Sequence, residues 1–531
     1  MQSGQSAPAS GKGQETETID NGVESHPRLR VKLVPAEGFS VVTMISATGD
    51  SPPGDPLMLK MLGSPRRCCD GITRRETLAA GALTTLGGGF SLPGLMAAEE
   101  ALAGSGKAKS VILLYLLGGA PTQDMYDMKP GAPENIRGPF QPIATTAPGV
   151  EISEMMPLSA RWMHRSAIVR SVGHESGCHN TLPSYTGYER KLPNISITED
   201  FYPPSMGSIC EYLNPEPASP DYIYMPCYLG WGQSIRRPGP YGGFLGKRYD
   251  PLYTVCSPRV DNPPDKPYHS QVLRGEPRIP YSRLTDGMTI DRLNLRKNLL
   301  DQLDDQRRRV GRSPATVSFG KQSERAWSIL TSSAVRDAFD LEQVDPRLRD
   351  KYGRTLFGSS ALVARRLVES GVRFVNVTWD CYYERLKLQY ECWDTHKRNE
   401  GVLRGYNLPV LDVTYNALME DLEQSGLLDE TLVLVMSDFG RTPKHNKNAG
   451  RDHWTYCYSV LFSGAGVRGG TVHGASDDHA AYIAADPVNT GDVCASIYHC
   501  LGINPSMRVP DQLGRPVEIA HGGRPIQSIL A

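Results

Sequence analysis

The chain has 531 residues, with 57 Lys plus Arg against 58 Asp plus Glu and a net charge of −1. That balance lacks the basic excess needed for broad affinity to nucleic acid or an anionic membrane surface, and no apolar run approaches the roughly 18 residues of a membrane span. With 39% hydrophobic residues the chain can bury a large core, while 53 Gly and 41 Pro point to many loops and away from a helical bundle.

Residues 1–72 are polar and without sustained period, and read as a disordered or mis-assigned extension, with Met58 and Met61 as later starts. Arg74-Arg75 then precedes a mildly apolar, Gly- and Ala-rich run ending in small residues, which predicts a twin-arginine export signal over 73–103 and a periplasmic or secreted protein. The eleven cysteines include no CxxC pair. They allow one or two disulfides with at least one thiol left over.

From residue 108 on, apolar runs alternate with amphipathic segments. Val111–Leu117, Ala167–Val172, Arg373–Thr378, Thr431–Met436 and Tyr458–Phe462 read as strands buried on both faces of a parallel sheet. Ala361–Ser370 and Leu408–Ser425 read as helices between them. The expectation is an α/β fold, a three-layer α/β/α sandwich on a mostly parallel central sheet, spanning 108–531. Residues 200–285, rich in Pro, Gly and Tyr, read as a loop-rich insertion in which Tyr222, Tyr224, Tyr228 and Trp231 either stack on a sugar or pack under loops. The charged segment 288–312 reads as a solvated helix.

Polar clusters follow these strands, where open α/β sheets place their ligands. Gly118-Gly119 leads to Asp124, and the second run leads to His174, Ser176, Cys178 and His179. Beyond the third lie Asp380 and then Asp394 and His396. The fourth is followed by Asp438 and Arg441, and Arg451, Asp452 and His453 precede the fifth. Carboxylate with imidazole suits zinc, manganese or iron, whereas carboxylates with backbone oxygens suit calcium or magnesium. Asp438-Phe439-Gly440 matches the kinase metal tripeptide, but no HRD loop or phosphate loop accompanies it, and no GxSxG elbow is present.

Taken together, Arg74-Arg75, Gly118-Gly119 through Asp124 and Asp127, the His174/His179 loop with Thr186-Gly187, Ser205 to Ser208, Trp393 to His396, Ser437 to Pro443, Gly450 to Trp454 and Asp492 to Gly502 resemble the DUF1501 family of secreted bacterial proteins. That family in turn resembles the alkaline phosphatase/sulfatase superfamily. The resemblance implies one or two divalent ions (zinc, calcium, magnesium or manganese) held by Asp124, His174, Asp394, His396, Asp438 and His453. It implies Ser176, Cys178 or Thr181 as nucleophile, His179 as a ligand or substrate contact, and Arg441 or Arg451 on the anion. The implied activity is hydrolysis of a phosphate or sulfate ester, including one on a glycan, with no nucleic-acid partner. Phe439 stands where the superfamily has His, and the Cys/Ser-x-Pro-x-Arg signature is missing. Both departures favour the alternative, a binding or assembly protein on the same scaffold.

Overall fold

The computed structural model describes residues 106–177, 179–189, 201–214, 220–227, 237–260, 272–279, 333–379 and 392–531. The extension, the export signal, Cys178, Tyr228, Trp231, Asp380 and the segment 288–312 lie outside the described residues. The framework is an eight-stranded sheet. Its strands are β1 (Ser110–Tyr115), β2 (Ser166–Val172), β3 (Tyr222–Met225), β4 (Leu252–Tyr253), β5 (Phe374–Thr378), β6 (Thr431–Met436), β7 (Tyr458–Gly464) and β8 (Thr471–His473), in the spatial order β8-β2-β7-β6-β1-β5-β3-β4.

The five apolar runs become β1, β2, β5, β6 and β7. Continuous hydrophobicity is what a strand covered on both faces needs. In β1, Ile112 and Leu114 enter one core while Val111, Leu113 and Tyr115 enter the other; in β6, Val433 and Val435 oppose Leu432, Leu434 and Met436 in the same way. The first core is roofed by α3 (Leu356–Glu369) and α4 (Leu408–Gln424). The second is closed by α1 (Leu182–Thr186), α2 (Met206–Leu213) and α5 (Thr490–Cys500). Local chemistry sets the helix starts: Thr355 caps α3 by accepting from the Gly358 amide at 3.0 Å, and Asn489 with Asp492 forms a capping box on α5. The result is an α/β/α sandwich.

Two features differ from the sequence reading. Tyr222 and Tyr224 are neither a sugar platform nor loop packing; they lie fully buried in β3, which pairs parallel with β5 and widens the sheet. A four-residue strand is too short to show a period among prolines and glycines. Strand β7 also runs antiparallel to both β6 and β2, although its composition matches that of its parallel neighbours. Because it is reversed, the loop leading into β7 lies at the same sheet edge as the loops leaving β1, β2, β5 and β6.

Cys210, Cys457, Cys494 and Cys500 carry free buried thiols, and burial pushes that of Cys210 up to about 12. Burial likewise pulls His521 down to about 4 from an ordinary 6.5. Its ring lies 5.0 Å from that of Tyr188. The folded pKa is therefore the lower one. Below pH 6.5 the unfolded chain accepts a proton that the folded His521 refuses until about pH 4, so stability falls as pH falls through that window. At pH 5 this amounts to about 2 kcal/mol. His521→Asn keeps a residue tolerant of the local φ of 51° and is expected to flatten the drop in urea-unfolding free energy between pH 7 and pH 5. An equal drop in both proteins would refute it.

Candidate metal centre

Strands β1, β5 and β6 are in register to their last residues, with Tyr115 opposite both Thr378 and Met436. The chain therefore leaves all three at one level. Gly118 and Gly119 follow β1 at φ 120° and 93°. A Cβ at Gly118 would lie 2.5 Å from the Asp394 amide, and one at Gly119 would lie 2.8 Å from the Phe439 ring. These glycines let the loop carrying Asp394 and the turn after β6 close against β1. Ser437 pins the turn by donating to the Leu116 carbonyl at 2.5 Å and accepting from the Gly119 and Ala120 amides at 3.1 and 3.0 Å.

Asp394 is the hub of the site. His179 Nε2 lies 3.3 Å from its Oδ2, while His396 Nε2 and His453 Nε2 each lie 3.1 Å from its Oδ1. His396 Nε2 and His453 Nε2 are 3.0 Å apart. Donors that each hold one ion at about 2.0–2.1 Å lie about 3.0–3.4 Å from their neighbours. The ligand atoms of His179, Asp394 and His453 fall within 4.8 Å of one another and form a possible metal-binding group, with His396 beside it.

Carboxylates behind two of the rings set their tautomers. His179 Nδ1 donates to Asp438 Oδ2 at 2.7 Å, and His396 Nδ1 donates to Asp452 Oδ1 at 2.6 Å. Each leaves an Nε2 lone pair facing Asp394, the carboxylate–histidine pairing seen behind metal ligands. The Phe439 ring sits 5.0 Å from His179 and 4.8 Å from His453 and serves as an apolar wall.

Burial opposes ionisation of Asp394, but the Arg441 guanidinium and the imidazoles of His179, His396 and His453 around it hold its carboxyl well below the usual carboxylate range. Burial, reinforced by His179 and Arg441, pulls His453 down to about 4, leaving it neutral near pH 7. His396 moves up beside the carboxylates of Asp394 and Asp452, which favour its charged form. Burial pushes Asp438 and Asp452 up, but hydrogen bonds from His179 and His396 respectively bring both below their ordinary value.

Of the residues named from sequence, Asp394, His396, His453 and His179 come together. Asp438 stands one layer behind, its Oδ1 taken by the Gly118 amide and Ser437 and its Oδ2 by His179. His174 is not aimed at a cation. Its Nδ1 accepts from the Ser176 amide at 3.0 Å, so its Nε2 donates to the Asp438 carbonyl at 2.8 Å and no lone pair is left. Asp124 pairs with Arg451 through both oxygens, at 2.9 and 3.1 Å, and with Asn399 at 2.9 Å.

Neither arginine is placed to meet an anion. Both are fully buried. Arg441 binds Asp394 and the carbonyls of Gly118, Gly119 and Arg451; Arg451 binds Asp124 and the carbonyls of Ile136, Thr442 and Pro443. They act as struts joining the loops. Ser176 is buried beside His174.

Sequence reasoning placed Asp452 in a polar cluster without giving it a role, and missed Asn399. Asp452 adjoins His453, but nothing in the sequence marks it as the partner of His396, 56 positions away. As Asp452 is half-exposed, Asp452→Asn is expected to leave the fold intact and weaken metal affinity by about 10–100-fold. Competition with a chromogenic chelator measures this, and unchanged affinity would remove Asp452 from the site.

Residues 108–530 match the profile of a family described as "Protein of unknown function (DUF1501)". Comparison with curated proteins finds no match. Similar solved structures include a protein in the alkaline phosphatase superfamily from Vibrio parahaemolyticus, at 11% identity and TM-score 0.36, covering 81% of this chain and 72% of that one. The lipoteichoic acid synthase LtaP from Listeria monocytogenes matches at 10% identity and TM-score 0.33, over 78% and 76% of the two chains. A phosphonate monoester hydrolase from Silicibacter pomeroyi matches at 12% identity and TM-score 0.31, over 79% and 76%. These likenesses are too distant to assign an activity.

Proposed function

The chain belongs to the DUF1501 family, and we propose that it is an exported metal-dependent hydrolase of phosphate or sulfate esters. The observation that carries this reading is the convergence of three imidazole Nε2 atoms on the Asp394 carboxylate, two of them backed by a carboxylate at Nδ1. His179, Asp394, His453 and His396 would hold the ion. A donor set of three nitrogens and one carboxylate suits zinc, manganese or iron better than calcium or magnesium. When bound, such an ion polarises an ester oxygen and lowers the pKa of water. The chain's own part is to keep the Nε2 lone pairs available, through Asp438 and Asp452, and to keep the site compact, through Phe439 and Arg441. Export rests on the Arg74-Arg75 segment, and no described helix is long and apolar enough to cross a membrane.

Arg441 also favours a second reading, a binding protein on the same scaffold, because its guanidinium already neutralises Asp394. Elemental analysis of natively purified protein, with turnover assayed on p-nitrophenyl phosphate and sulfate, separates the two. The hydrolase is expected to carry about one divalent ion per chain and to lose turnover on chelation and in His453→Ala. A folded, metal-free and inactive protein would leave the binding reading.

A further inference from the structure

Beside the centre lies a groove of about 380 Å3 whose wall includes Asp452, Lys444, Trp454 and Tyr482. The groove is linked to the centre through Asp452, whose carboxylate holds His396. At its rim two exposed tyrosines cluster with the partly buried Trp454. Trp454 lies 5.0 Å from Tyr456 and 5.5 Å from Tyr482, and the two tyrosines are 5.8 Å apart. Tyr456 and Tyr482 are 52% and 53% exposed.

The cluster is held in place. Trp454 Nε1 donates to the Ala481 carbonyl at 2.6 Å. Asp477 accepts from the amides of His479, Ala481 and Tyr482 at 3.1, 2.8 and 3.2 Å. Within that loop Ala480 is buried and held at φ 52°, a conformation a non-glycine residue adopts only when its surroundings impose it. The buried Gln123 side chain supplies one such restraint, donating to the Ala480 carbonyl at 3.3 Å. Large rings fixed in water, each apolar on its faces and polar at one edge, suit a ligand that is itself apolar on one face and hydroxylated around its rim.

The groove's wall also carries a cation. Lys444 is exposed and makes no ion pair among the described residues. Asp477 is taken up by backbone amides, and Asp452 is held through Oδ1 by His396 and Asn446.

We propose that this groove binds an anionic saccharide, with a pyranose ring stacked on the Trp454–Tyr456–Tyr482 platform and its sulfate or phosphate group beside Lys444. This names a substrate class for the hydrolase and rests on that reading for the chemistry, but the platform binds sugar whether or not the centre turns over.

The test uses the full chain in isothermal titration against sulfated galactan hexasaccharides and their desulfated counterparts. The wild type is expected to bind the sulfated form at least tenfold more tightly. Tyr456→Ala and Tyr482→Ala are each expected to weaken it tenfold or more, and Lys444→Ala to erase the preference for sulfate. Phe201→Ala, at a ring 60% exposed on another loop, is the control and should bind as the wild type does. Failure of the wild type to bind any hexasaccharide, or full binding by the tyrosine variants, would overturn the proposal. So would wild-type dimerisation that Tyr482→Ala abolishes, since the platform would then be a contact between copies. Metal content and aryl-ester turnover of the wild type report separately. If both are absent while Tyr482-dependent sugar binding persists, the hydrolase reading fails and the saccharide site stands.

Discussion

Asp394→Ala is expected to remove bound metal and to destabilise the fold in the same step. The first effect follows from position, because Asp394 lies within 3.3 Å of His179, His396 and His453 alike. Without it the three imidazoles lose the charge that makes the pocket attractive to a divalent ion, and metal per chain should fall below about a tenth of the wild-type value. The second effect follows from Arg441, which is fully buried against Asp394. Removing one partner of a buried ion pair leaves the other uncompensated and costs about 3–5 kcal/mol. Elemental analysis and urea unfolding in chelator read the two effects independently. Wild-type metal in a folded Asp394→Ala protein would dismantle the centre as described. His453→Ala supplies the complementary case. Its ring is partly exposed, and Asp394 keeps its pair with Arg441 when that ring is removed, so metal should be lost with little change in unfolding.

Asp124→Ala should do the reverse. Sequence resemblance implies that Asp124 is a metal ligand, but its two oxygens face Arg451 and Asn399. Both charges of the pair are fully buried. Asp124→Ala is expected to cost about 3–5 kcal/mol of stability and to leave metal content unchanged. The double variant with Arg451→Ala should be less destabilised than the sum of the singles, because no lone charge remains. If Asp124→Ala instead loses metal at unchanged stability, Asp124 belongs to the centre and the pair with Arg451 exists only without the ion.

These two carboxylates show how far the sequence could be read. The apolar runs identified five of the eight strands because burial on both faces leaves an unmistakable composition. The sheet's architecture then predicted where the polar clusters gather, and Asp394, His396 and His453 do gather there. What composition does not carry is the identity of a carboxylate's partner. Asp124 and Asp394 look alike in the chain; one faces a guanidinium 327 positions away and the other faces three imidazoles. Strand direction was hidden for a similar reason, since β7 is as apolar as its parallel neighbours. Tyr222 and Tyr224 were misjudged because a short strand inside a Pro- and Gly-rich stretch leaves no period to detect.

The reversed strand also orders events during synthesis. Among the described residues, strand β2 finds its partners in β7 and β8, at residues 458–464 and 471–473, and in a bridge to Val488. A growing chain therefore holds 166–172 without a place in the sheet for nearly three hundred further residues, although β1, β5 and β6 can already pair. His179, seven residues beyond β2, is the centre's last arrival even though it is made first. Loading of the proposed ion would thus be a late event, and the architecture would form without it. Chains interrupted anywhere before β7 should present a loose N-terminal strand to chaperones and proteases.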